Sequence, residues 1–198
     1  MILLTAIVAG GLAGLLYARW KRQPWTVPSV HFAWLAVVAF LPQFLVFYLP
    51  ATRDRVQDVW VSVSLITSDI LFLCFCWFNR HLAGVWLLAA GAALNLLVIA
   101  SNGGFMPISP QTASHLISPA LLDTVPIGGR FGAGKDILLL PEQTRLAWLS
   151  DRFLLPDWFP YQVAFSPGDV LIACGAFWLM ATQGKPSLIN KIRLEKRN

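Results

Sequence analysis

The sequence predicts an all-α membrane protein, a single membrane domain of 1–198 with five transmembrane helices and a structured extracytoplasmic cap between helices four and five. Three observations carry this. The chain is 57% hydrophobic and 13% charged, against the roughly 25% charged residues of soluble domains, and its mean hydropathy is +0.63. Five apolar runs approach the length that spans a bilayer, about 20 residues. The net charge of +5 is concentrated in short segments beside those runs, which is a topology signal and not a nucleic-acid footprint.

The first span covers about 1–18. Its positive charges (Arg19, Lys21, Arg22) follow the apolar run, whereas a signal peptide places them before it. We therefore read it as a true span, with Gly10 and Gly14 forming a GxxxG packing face. The second covers about 31–49 and contains Pro42, and the third and fourth, about 59–78 and 82–100, are joined by a tight Asn79-Arg80-His81 turn. The fifth, about 167–183, ends before the stop signals Gly184 and Pro186. Cys74, Cys76 and Cys174 all lie in apolar runs and read as buried small hydrophobes without a disulfide framework.

Charge sets the orientation. The segments after spans one and three and the tail from Lys185 carry +3, +1 and +4, while those after spans two and four carry 0 and −1. The positive side is the cytoplasm. The expected location is the bacterial cytoplasmic (inner) membrane, N-terminus outside, C-terminus inside and the long loop 101–165 outside. Within that loop "SPALLD" reads as a Ser-capped helical turn and "DILLL" as a short strand-like or interfacial run. In "PEQTRLAWLSDRF", Leu146, Leu149 and Phe153 share one face of an amphipathic helix. Trp148, Trp158 and Tyr161 fit an interfacial aromatic belt.

Several motifs bear on chemistry. "GGRFGAGKD" approaches a P-loop, but Asp136 stands where a magnesium-binding Ser or Thr is needed, so a glycine turn is the better account. His31, His81 and His115 have no ligand spacing, and no metal or other cofactor is expected. Asp69 lies mid-way along span three. A carboxylate there costs about 2.5–3.5 kcal/mol on insertion scales and should face the bundle interior with a partner. It reads either as packing glue to Asn95 or a serine, or as part of a proton relay. Asn102-Gly103-Gly104 ends span four as a helix C-cap, or lets backbone approach a ligand. In "SPGD", Ser166 is an N-cap, Pro167 sits at N1 and Asp169 at N3, an Asp form of the capping box. Asp151, Asn102 and Asp169 are expected at the same outer face, where two carboxylates can serve as general base and general acid on a water.

Two resemblances follow. The pattern "NGGFMPIS … KDILL … TRLAWLSDRFLLP … FSPGDVLIACG" resembles small bacterial membrane proteins grouped as a domain of unknown function. Separately, Phe165-x-x-x-Asp169-x-x-Ile172-x-x-Gly175-Ala176, Asp151-Arg152 and Asn102-x-Gly104 are similar to motifs of signal peptidase II, the lipoprotein signal peptidase. That second resemblance implies Asp151 and Asp169 as a catalytic pair, with Asn102, Gly103, Gly104 and Arg152 binding or orienting substrate. The chain departs from it in having a loop where that family has two spans.

The functional expectations are three. The most concrete is an aspartyl-type membrane hydrolase or peptidase acting at the extracytoplasmic face on a membrane-anchored peptide. The second is a non-enzymatic accessory or assembly subunit contacting other membrane proteins, and the third is proton or ion translocation through Asp69 and Asn95. The lipid bilayer is the partner common to all, and nucleic acid is not expected.

Overall fold

The computed structural model describes residues 2–49, 55–132, 134–156, 158, 159 and 161–182. The tail that carries the +4 charge, Gly184, Pro186, Gln183 and residues 50–54 lie outside these. Five long helices dominate: α1 Ile2–Trp20, α2 Ala33–Phe47, α3 Asp58–Phe78, α4 Val85–Ser101 and, after the cap, α7 Pro167–Ala181. They pack in the order α1–α7–α4–α3–α2, so the last helix inserts between the first and the fourth. Among the described residues only α1 and α3, of 19 and 21 residues, are long and apolar enough to cross a membrane by length and composition, while α2, α4 and α7 are apolar but shorter.

Small residues explain why α7 lies where it does. Antiparallel to α4, it brings Gly175 against Gly84 and Gly168 against Gly91, with backbone touching backbone at both crossings. The other side of α7 meets the GxxxG face of α1: a Cβ on Gly10 would lie 2.5 Å from the Phe177 carbonyl oxygen, and one on Gly14 2.8 Å from that of Met180. Gly84, Gly91 and Asn95 of α4 and the turn before it therefore all meet α7. In the turn from α3 to α4 the fully buried Asn79 receives the His31 N–H at 2.7 Å and donates to the His31 carbonyl at 2.8 Å and the Phe75 carbonyl at 2.9 Å. This clamp joins the start of α2 to the end of α3.

The cap consists of β1 Met106–Ile108, α5 Pro110–Ala113, α6 Pro119–Leu122, β2 Asp136–Leu138, β3 Phe153–Leu154 and β4 Ala164–Phe165. Strand β1 is buried throughout and pairs in parallel with β2, while β3 and β4 pair antiparallel. Met106, Phe105 and Leu149 of the cap join Val61, Leu65, Val98 and Ile99 of the bundle in one apolar core. The cap is thus continuous with the helices beneath it.

Three expectations are corrected. The stretch 141–153 is not one amphipathic helix. It forms two single 3₁₀ turns, Pro141–Gln143 and Ala147–Leu149, with Leu146 between them at φ 55°, and then β3. The reason is a contact from another element: the Asn102 side chain takes both the N–H and the carbonyl of Arg145, which a helical ladder needs. Cys74 and Cys174 are exposed on the apolar outer surface, and only Cys76 is buried. Asp69 does not bond Asn95, whose amide is engaged elsewhere.

Candidate functional site

Helix α7 begins well inside the bundle. Its N-cap Ser166 is completely buried and donates its hydroxyl to Asn95 Oδ1 at 2.9 Å, while Asn95 Nδ2 donates to Asp169 Oδ1 at 3.0 Å. From Asn95, α4 continues to Ser101, about 9 Å of further helix at ~1.5 Å per residue. The cap packs against both α4 and α7 through the turn 147–149.

The capping box expected in "SPGD" is present. The Asp169 N–H donates to Ser166 Oγ and the Ser166 N–H to Asp169 Oδ2, both at 3.0 Å. With Asn95 added, both oxygens of Asp169 are hydrogen-bonded. Gly168 is required beside it, because a Cβ there would collide with the Asn95 side chain.

Strand β1 assembles the rest. On one side the Met106 N–H bonds the Lys135 carbonyl at 3.0 Å as β2 begins. On the other, the Asp151 N–H bonds the Pro107 carbonyl at 3.1 Å, and Asp151 bridges Ile108 in parallel. Lys135 and Asp151 thereby flank one buried strand, and their side chains meet. The Lys135 ammonium lies 2.5 Å from Asp151 Oδ2 and 3.6 Å from Asp136 Oδ1. The Asp151 side chain is 2% exposed and that of Lys135 34%.

One ammonium serves this whole group. Lys135 is within electrostatic reach of Asp151, Asp136 and Asp169, and Asp69 on α3 feels both Lys135 and Asp169. Burial disfavours the Lys135 ammonium, but Asp151, Asp136 and Asp169 outweigh it and hold the proton beyond the ordinary lysine range. Burial raises the Asp151 carboxyl well above its ordinary value; Lys135 opposes this, while Asp136 and Asp169 add to it. Burial thus opposes the ammonium and is the largest cause for Asp151, while the neighbouring carboxylates Asp136 and Asp169 raise both groups. Asp151 Oδ1, Asp136 Oδ1 and Asp69 Oδ2 are buried without a hydrogen-bond partner.

The structure therefore brings Asp151, Asp169, Asp69 and Asn95 into one neighbourhood, but not the remaining predicted site residues. Asn102 donates to the Val98 carbonyl at 2.8 Å and the Arg145 carbonyl at 2.9 Å and accepts from the Arg145 N–H at 2.9 Å, so its amide holds the cap to α4. Gly103 and Gly104 stand at φ 73° and 88° and end α4; a Cβ on Gly104 would strike Ser62. Arg152 is exposed, its guanidinium 5.8 Å from the Phe153 ring centre.

Sequence reasoning missed Lys135 and Asp136. Their signal was a Lys-Asp pair at the root of the apolar run 137–140, which the likeness to a P-loop obscured. The glycine segment is a turn wrapped back on β2, with Arg130 bridging Ile137 and the Gly128 N–H bonding the Leu138 carbonyl at 2.7 Å. A strand follows it where a P-loop needs a helix. His31 and His81 meet edge to face at 5.2 Å between ring centres, at the end of the bundle away from this cluster.

Residues 28–181 match the model of a family described as "Family of unknown function (DUF5317)". The chain belongs to that family. A curated relative, an uncharacterized protein of Thermotoga maritima, is 28% identical over 127 residues, covering 61% of this chain and 62% of its own length. No solved structure matches. The DUF5317 description carries no activity, so it assigns Asp151 and Asp169 none of the roles implied by the likeness to signal peptidase II.

Proposed function

We propose that this DUF5317 protein is a five-span integral protein of the bacterial inner membrane, N-terminus outside and C-terminus in the cytoplasm, that moves protons or ions through Asp69 and the carboxylate–lysine cluster above it. The five-span reading rests on an inverted surface. Leu16 of α1, Val37 of α2, Val59 of α3, Trp86 of α4 and Trp178 of α7 are all more than half exposed, which suits lipid better than water. The shorter helices fit this if the cap supplies the missing depth over α7.

The observation that carries the ionic reading is Asp69 itself. It is a carboxylate midway along an apolar helix, its Oδ2 buried without a hydrogen-bond partner, facing the field of Lys135 and Asp169. Intramembrane carboxylates so placed mark proton and ion paths. The protein reconstituted in liposomes with an enclosed pH dye tests this: Asp69→Asn is expected to abolish a proton flux that the wild type supports. Equal flux from the two would leave Asp69 as a packing residue. A reporter placing 101–165 in the cytoplasm would overturn the orientation.

A second reading, the aspartyl hydrolase, has one observation in its favour: Asp151 and Asp169 both address Lys135, and Asp151 Oδ1 is free to hold a water. It is the weaker one, because both Asp169 oxygens are engaged and Lys135 already holds Asp151. Cleavage of a membrane-anchored peptide that is lost in both Asp151→Asn and Asp169→Asn would favour it. A stable complex with another membrane protein and neither activity would favour the accessory-subunit role.

A further inference from the structure

The cluster contains more negative charge than Lys135 can balance. Asp136 and Lys135 face it from β2, Asp169 from α7 and Asp69 from α3, while α4 offers the neutral amide of Asn95. Asp151 is 1% exposed, and its Oδ1 has no hydrogen-bond partner although Oδ2 is held by the ammonium. Asp136 Oδ1 is likewise buried, 3.6 Å from the same ammonium. A buried anionic oxygen is costly without a donor or cation, so these oxygens mark a place built for a positive ligand.

The chemistry of the donors selects the ligand class. They are all oxygens, which suit hard cations over soft or imidazole-seeking metals. Among the described residues no three acidic, histidine or cysteine side chains are grouped as a divalent metal centre needs. A monovalent cation would also replace the single charge of the Lys135 ammonium one for one. Lys135 has a way out, since about a third of its side chain is exposed, unlike that of Asp151.

We propose that Asp151 and Asp136 form a binding site for a monovalent hard cation of the sodium class, and that the Lys135 ammonium is its tethered competitor. The site is closed when Lys135 occupies it and loaded when the cation displaces the lysine. This rests on the ion-translocating reading above and adds to it the second ion, so a proton moving through Asp69 has a counter-ion to exchange with.

The test uses the full chain in detergent at fixed pH and ionic strength, in sodium chloride or tetramethylammonium chloride. An amine-reactive ester is followed at Lys135 by mass spectrometry, with Lys21 as the internal reference. Sodium is expected to speed labelling of Lys135 several-fold relative to Lys21. Equal rates in the two salts would overturn the proposal. In Lys135→Met the competitor is gone, so sodium should raise the melting temperature more than in the wild type, and Lys135→Met combined with Asp151→Asn should lose that response. The outcomes separate the two readings. Proton flux with sodium-insensitive labelling sinks the cation site alone, and sodium-sensitive labelling without flux sinks the translocation reading alone.

Discussion

Lys135 and Asp151, 16 residues apart in the chain, form a 2.5 Å ion pair across the buried strand β1. The pair exists because β1 is hydrogen-bonded on both sides, to Lys135 at the start of β2 and to Asp151 beyond it. Taking two charges out of water is expensive, and breaking such a pair by removing one partner is more damaging than replacing both. The arrangement concentrates charge where the bundle is otherwise apolar, and its protonation should therefore be visible in stability.

The Asp151 carboxyl is raised well above its ordinary value of 3.8 by burial and by Asp136 and Asp169, against Lys135. A group whose pKa is higher folded than unfolded contributes stability that is full below the unfolded value and is lost as pH rises through the folded one. Melting temperature should accordingly rise as the solution is acidified from neutral pH. The slope should be shallower in Asp151→Asn. A wild type that only loses stability on acidification would show that Asp151 is ionised throughout and that Lys135 dominates its environment.

Asn102 fastens the cap to the bundle with two hydrogen bonds to the backbone of Arg145, and a third to the Val98 carbonyl holds its side chain on α4. A net bond contributes about 1 kcal/mol, and a buried group left unsatisfied costs about 1–3 kcal/mol. Asn102→Ala should therefore destabilise the protein by about 2–4 kcal/mol, with limited proteolysis first cutting near 141–149. A variant that melts with the wild type and leaves this segment protected would mean that the apolar core around Leu149 holds the cap unaided.

How much of this was legible depends on the range of the interaction. The five apolar runs and their ends were readable because hydrophobic length and capping are local properties. "SPGD" encodes the Ser166–Asp169 box within four residues, and the GxxxG of Gly10 and Gly14 names a packing face directly. Pairings across 43 residues, as from Asn102 to Arg145, or 16, as from Lys135 to Asp151, leave no periodicity to read. The error over 141–153 has the same source. Leu146, Leu149 and Phe153 have helical spacing, but a side chain on another element takes the backbone groups that the helix would need. Of the partners expected for Asp69, Asn95 was not legible as engaged elsewhere, because its amide bonds Asp169 and Ser166 across 74 and 71 residues.

Asp169 separates capping from carboxylate chemistry. Asp169→Asn keeps an acceptor for the Ser166 N–H, while Asp169→Ala removes the acceptor for both Ser166 and Asn95. Loss of a helix cap costs about 0.5–2 kcal/mol. If Asp169 only starts its helix, the alanine variant should melt lower by that amount, with the asparagine variant near the wild type and ion flux retained. Flux lost in a well-folded Asp169→Asn would instead make its charge part of the path.

The last expectation concerns the contact that seats α7 beside α1. Gly10 and Gly11 are adjacent on one helix but differ in what a methyl group would meet. At Gly10 it would lie 2.5 Å from the Phe177 carbonyl oxygen and 2.8 Å from its Cα, both backbone atoms that cannot swing away. At Gly11 the nearest atom is the Met180 terminal methyl at 3.9 Å, an ordinary contact with a flexible side chain. Overpacking a tight interface costs about 1–3 kcal/mol, whereas Ala in place of Gly within a helix gains up to about 1 kcal/mol. Gly10→Ala should therefore lower the melting temperature and loosen α1 from α7, and Gly11→Ala should leave it level or raise it. Because the two substitutions share composition, helix and depth, opposite signs can come only from the approach of Phe177. Equal effects would mean that α1 packs against α7 in another register.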